Sequence, residues 1–144
     1  MALSPPQALG FRTAREKMAE ILRADGTDPD YSVASLEGLE RVLSRLHRKA
    51  DEPPALAPDE RHRLLFRAGA YAAEVLLRAV RGADVSLKDG ELVLTLPSEV
   101  LPGMTFQAYP RLRVAKMLDG EERLLDWAVV LLAMTVKASA GPES

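Results

Sequence analysis

The chain contains no cysteine and no asparagine. The first absence excludes disulfides, thiol nucleophiles and thiolate metal ligands. The second removes every N-glycosylation acceptor. Histidine occurs only at His47 and His62, glutamine only at Gln7 and Gln107, and isoleucine only at Ile21. Arginine outnumbers lysine fourteen to five. A GC-rich genome disfavours the codons for Asn, Ile and Lys, and a hot environment disfavours Asn, Gln and Cys. Either cause points to a bacterial or archaeal source. The longest uninterrupted apolar run, Trp127 to Met134, has eight residues, whereas a membrane span needs about 20. Met1 to Gly10 holds two prolines and no charged segment, so no signal peptide is read there. The expected location is cytoplasmic, with no membrane contact.

What is present is ordinary globular material. Of 144 residues, 47% are hydrophobic and 28% charged, which excludes a disordered or collagen-like chain. A single domain over residues 1–138, followed by a frayed tail at 139–144, is the expected organisation. The net charge of −2 provides no global positive field for nucleic acid.

Hydrophobic periodicity places the elements. Residues 7–24 read as an amphipathic helix carrying Phe11, Ala14, Met18, Ile21 and Leu22 on its inner face. Ser32 is positioned to cap a second helix with Leu36, Leu39, Leu43 and Leu46 as its stripe. Residues 51–57, with Pro53 and Pro54, read as a linker. Pro58 opens a third helix, with Asp59 and Glu60 in its first turn, expected to run to Arg81 and stop at Gly82. Asp89-Gly90 between two alternating runs specifies a hairpin with a type I′ turn. That turn sets Lys88 opposite Glu91, Leu87 opposite Leu92 and Val85 opposite Leu94, and places Val85, Leu87, Leu92 and Leu94 on one face. Met104 to Ala108 is the candidate third strand, because a lone hairpin is marginal in water. Pro110 begins a short helix with Leu112, Ala115 and Met117 or Leu118 inward. A last helix runs from Glu121-Glu122 to about Lys137, apolar nearly all round from Leu124. The predicted fold class is α+β: three N-terminal helices, a small antiparallel sheet built on the 85–96 hairpin, and two C-terminal helices.

The chemistry-bearing residues are few. Asp59 and His62 are spaced i,i+3, but no further His or Glu set completes a metal shell, and a solvated first turn explains them. There is no Gly-x-Ser-x-Gly elbow and no phosphate-binding glycine loop. No catalytic residue, metal or cofactor is therefore expected. Arg63, Arg67, Glu74, Arg78 and Arg81 fall on one stripe of the third helix. Glu74 lies between Ala72-Ala73 and Val75-Leu76, in an apolar stretch. Were it buried, its pKa would rise unless an arginine paired with it. Arg67, Tyr71, Glu74 and Arg78 are accordingly the candidate binding residues. Other basic groups, Arg41-Arg45-Arg48-Lys49 and Arg111-Arg113-Lys116, read first as solvated helix faces. A nucleic-acid role would need them joined in space, and interleaved aromatics are lacking.

The segment Gly69-Ala70-Tyr71-Ala72-Ala73-Glu74 resembles a group of small uncharacterised bacterial α+β domains with a Gly-Ala-Tyr-x-Gly-Glu helix. In that group a Tyr-Ser-x-x-Ser-Leu helix start comes first, matched here by Tyr31-Ser32-Val33-Ala34-Ser35-Leu36. Pro110, Val114, Lys116 and Gly120 are similar to its later Pro…Val-x-Lys…Gly segment. The chain departs from the pattern at Ala73, where the group has glycine, and in having no tryptophan after Gly82. The resemblance implies an interaction or immunity-like module, and the all-round apolarity of the last helix adds a protein partner or a second copy of the chain. Three expectations follow: an interaction or regulatory module self-associating through the last helix, a small-ligand or weakly catalytic site at Tyr71 and Glu74, or nucleic-acid binding through the arginine stripes.

Overall fold

The computed structural model describes residues 3–50, 57–101, 103–120 and 122–135. The expected linker, apart from Ala57, and the expected tail at 139–144 lie outside these residues.

Helix α1 (Pro5–Ala24) starts two residues earlier than its apolar periodicity indicated. Ser4 accepts from the Gln7 amide and the Gln7 side chain returns to the Ser4 amide, a reciprocal cap that precedes the first apolar position. Helix α2 (Ser35–Ala50) follows a turn in which Ser32 Oγ accepts from Ser35 N–H at 3.2 Å, the capping role expected of it. Its Leu36, Leu39 and Leu43 are buried.

Helix α3 (Pro58–Ala79) is the centre of the molecule. It packs along α1 on one side and on α4 (Pro110–Leu118) on the other. The expectation that α3 reaches Arg81 is corrected: it ends at Ala79, because Val80 turns to extended backbone and is itself buried. Gly82 then takes a positive φ of 84° and leads the chain into the sheet.

Strands β1 (Asp84–Lys88), β2 (Glu91–Pro97) and β3 (Thr105–Ala108) form one antiparallel sheet in the order β1-β2-β3. The hairpin register is the one the Asp-Gly turn demands: Lys88 opposite Glu91, Leu87 opposite Leu92 and Val85 opposite Leu94. Asp89 and Gly90 both have positive φ, 53° and 79°, as a type I′ turn requires. The inward face joins Val85, Leu92, Leu94 and Leu96 to the helical core. Val93 points to the opposite face yet is also buried, which strict alternation does not anticipate.

Helix α4 differs from expectation in its rotation. Met117 is buried as expected, but Leu112 is exposed and Val114 is buried in its place. The close contact of α4 with α3 at Gly69 sets that rotation, described below. Helix α5 (Leu124–Met134) is shorter than the expected span. It opens at Leu124, and Thr135 leaves helical geometry to form a bridge with Ser98. Its first turn has no cap of its own. Glu40 of α2 supplies one, accepting from the Leu124 amide at 3.1 Å and from Arg123 Nε at 3.0 Å. This bond raises the Arg123 pKa further above its ordinary value. Glu40→Ala should cost about 1 kcal/mol, the usual value of a helix cap, and Glu40→Gln less. Urea unfolding of the two variants measures this, and equal, negligible losses would show that the inter-helix cap is unimportant.

Candidate functional site

Two regions stand out, one polar and one apolar. The polar region surrounds Tyr71 and Glu74. Tyr71 has no exposed surface, because α3 places it toward the turn that enters α2. Its hydroxyl donates to Ser35 Oγ at 2.8 Å and accepts from the Tyr31 amide at 3.2 Å. Tyr31 adopts a left-handed φ of 59°, uncommon for an aromatic residue. That conformation lays its ring on Tyr71 with centroids 4.7 Å apart, an offset-stacking distance. The Arg78 guanidinium covers the Tyr31 ring at 4.3 Å, and that of Arg15 lies 5.4 Å from its centroid. Burial pushes the Tyr71 hydroxyl pKa up, against the opposing effect of its bond to Ser35.

Glu74 is mostly covered, with a side-chain exposure of 15%. Arg78 Nε donates to its Oε2 at 2.7 Å, the i,i+4 pair its spacing specifies. Arg15 Nε of α1 stands 3.6 Å from its Oε1. A polar cleft of about 510 Å³ lies alongside, bordered by Arg15, Arg23, Tyr31 and Arg78.

Of the four candidate residues, the fold therefore unites Tyr71, Glu74 and Arg78. Arg67 lies elsewhere, in a shallow cleft with Leu9, Thr13, Lys17 and Phe66. Arg15 and Tyr31 belong to the cluster but were not among the candidates. Tyr31 carries a signal in the sequence, its Tyr-Ser motif. Arg15 has none, because nothing local couples α1 to Glu74.

Several members of the other basic groups are engaged with acids, while Arg41 donates to Thr27 Oγ1. Arg45 pairs with Asp25, Arg113 with Glu122 at 3.1 Å, and Arg123 with Glu40. Arg111 Nε lies 3.1 Å from both oxygens of Glu91. Among the described residues, no three His, Asp or Glu side chains are grouped to hold a metal ion. No helix among them is long and apolar enough to cross a membrane.

The apolar region lies between β3, α4 and α5. A groove of about 370 Å³ is lined by Phe106, Tyr109, Leu112, Trp127, Val130 and Met134, among others. Arg113, Lys116 and Glu122 also contribute to it. Eight of the nine large apolar side chains exposed among the described residues fall between Val100 and Met134, with Leu9 the exception. Helix α5 buries Leu124, Trp127, Ala128 and Leu131 while Val129, Val130, Ala133 and Met134 face outward. Its all-round apolarity thus divides into a core face and an uncovered stripe. Comparison of the chain with protein-family models, curated proteins and solved structures finds no match.

Proposed function

We propose that this protein is a non-enzymatic interaction or regulatory module that works as a homodimer, paired through the groove and stripe of α4, α5 and β3. The observation carrying this reading is the groove itself, where the exposed Tyr109, Leu112, Val130 and Met134 meet Phe106 and Trp127. Scattered surface apolar residues need no explanation, but a contiguous patch beside a groove marks an interaction surface. A second copy is the occupant because the face has both a concavity and projecting apolar groups. Two-fold pairing needs that combination, since each patch must complement itself.

The test is sedimentation velocity on the intact chain. The parent is expected to sediment as a dimer. Val130→Glu should weaken the dimer by about a hundredfold or more, the cost of a charge at the centre of an interface. Val130 is 50% exposed, so this change leaves the monomer fold intact. A parent that remains strictly monomeric at high concentration overturns the proposal.

A second reading, small-ligand binding beside Glu74, is favoured by the polar cleft there. It is the weaker one, because Glu74 is already engaged by Arg15 and Arg78 and the Tyr71 hydroxyl is buried with its own partners. Nucleic-acid binding through the arginine stripes is disfavoured by the engagement of Arg45, Arg111 and Arg113 with acids.

A further inference from the structure

We propose that Glu99-Val100-Leu101 of each copy inserts into the apolar groove of the other, so that the two subunits exchange identical contacts. This rests on the homodimer reading and specifies how the dimer is built.

The segment is displayed rather than loose. Ser98 bridges Thr135 at the end of α5. The Ser98 amide donates to the Met104 carbonyl, the Leu101 amide to Ser98 Oγ, and the Met104 amide to the Leu101 carbonyl. The Glu99 amide donates to the Met134 carbonyl at 3.1 Å. A hydrogen-bonded turn therefore holds up Val100 and Leu101, which are 76% and 57% exposed. Such exposure of two adjacent aliphatic side chains on an ordered turn loses little conformational entropy on docking.

The groove matches this segment in size, chemistry and position. An apolar cavity of about 150 Å³ accommodates benzene, so a groove of about 370 Å³ has room for Val and Leu side chains together. Its floor is apolar and aromatic, and Lys116 and Arg113 stand among its lining residues to meet Glu99. Arg113 is already paired with Glu122 in its own chain, so the cross-subunit contact falls to Lys116. Position is set by Met134, which both lines the groove and holds Glu99 through its carbonyl. Glu99, Val100 and Leu101 do not line the groove of their own chain. A two-fold axis close to Met134 carries each segment to the other subunit's groove, and the two contacts form together.

The absence of cysteine from the chain makes disulfide trapping a clean test. Leu101→Cys chains and Leu112→Cys chains are mixed, oxidised gently and separated under denaturing conditions. The mixture should yield about tenfold more covalent dimer than either variant alone, since a disulfide forms only where the two Cβ atoms meet. In parallel, Glu99→Lys and Lys116→Glu should each weaken the dimer about tenfold in sedimentation. Their combination should restore it, as opposite charges facing across an interface predict. A sedimenting dimer without the mixed disulfide, and without charge-swap rescue, overturns the exchange while leaving the homodimer intact. As much covalent dimer from either variant alone as from the mixture also overturns it. A monomer in every measurement removes both proposals.

Discussion

Replacing Tyr71 by alanine is expected to lower the stability of the protein by about 3–5 kcal/mol, the range for deleting a buried aromatic ring. Three losses coincide there. The core loses a side chain with no exposed surface. Tyr31 loses the ring beneath it and an acceptor for its amide. Ser35 loses the hydroxyl that donates to it. Because Tyr31 sits in a left-handed conformation, its turn then lacks the contacts that stabilise it, and the entry to α2 loosens. Against a total stability of about 5–15 kcal/mol, this is a large fraction. Tyr71→Phe keeps the ring and should cost about 1–3 kcal/mol, the desolvation penalty of the groups left unpaired. The two variants also separate by pH. Burial raises the Tyr71 pKa above 10.0, so the folded state keeps the proton that the unfolded chain releases there. This contribution to stability is complete below pH 10.0 and is lost as the pH rises toward the folded value. Urea midpoints measured on both sides of that pH should fall more steeply in the parent than in Tyr71→Phe. Parallel declines would show that Tyr71 is not held protonated by the fold.

Gly69→Val is the second large effect. A side chain at Gly69 would place its Cβ 2.9 Å from the Arg111 Cα and amide nitrogen. Those are backbone atoms and cannot rotate aside, so α4 must move off α3. Overpacking of this kind costs about 1–3 kcal/mol, and the shift also disturbs Arg111 against Glu91. The internal control is Gly10, inside α1, where an added Cβ meets nothing within 4 Å. Gly10→Ala should stabilise by about 0.5–1 kcal/mol through helix propensity alone, whereas Gly69→Ala should destabilise despite the same propensity gain. Thermal unfolding of the pair decides it. Shifts of the same sign would show that the α3–α4 contact is not tight.

The contrast between these glycines shows where local reading stops. Both stand in helices; a glycine at 69 in an alanine- and leucine-rich helix points to a close helix contact, but not to its partner. Only the approach of Arg111 from a distant element supplies that partner. The same holds for the polar cluster. The Glu74–Arg78 pair follows from i,i+4 spacing, and a cap at Ser32 follows from the apolar stripe behind it. Arg15 has no such tie to Glu74, and Arg67 lies on their stripe yet in a different cleft. Leu112 is misplaced for a related reason. The short helix carrying it has weak periodicity, so its rotation follows from its neighbour rather than from its own pattern.

The sequence by itself determined the element order, the α+β class and the hairpin register, because these depend on interactions a few residues long: caps, turn dihedrals and alternation. The missing cysteine and scarce histidine likewise limited the available chemistry before any fold was known. The tertiary structure alone decided that Tyr31 covers Tyr71, that Glu40 caps α5, and that α5 divides into a buried face and an open stripe. Those outcomes depend on which surfaces meet. An all-round apolar helix carries no internal mark of the side its neighbours leave uncovered, and only packing chooses it.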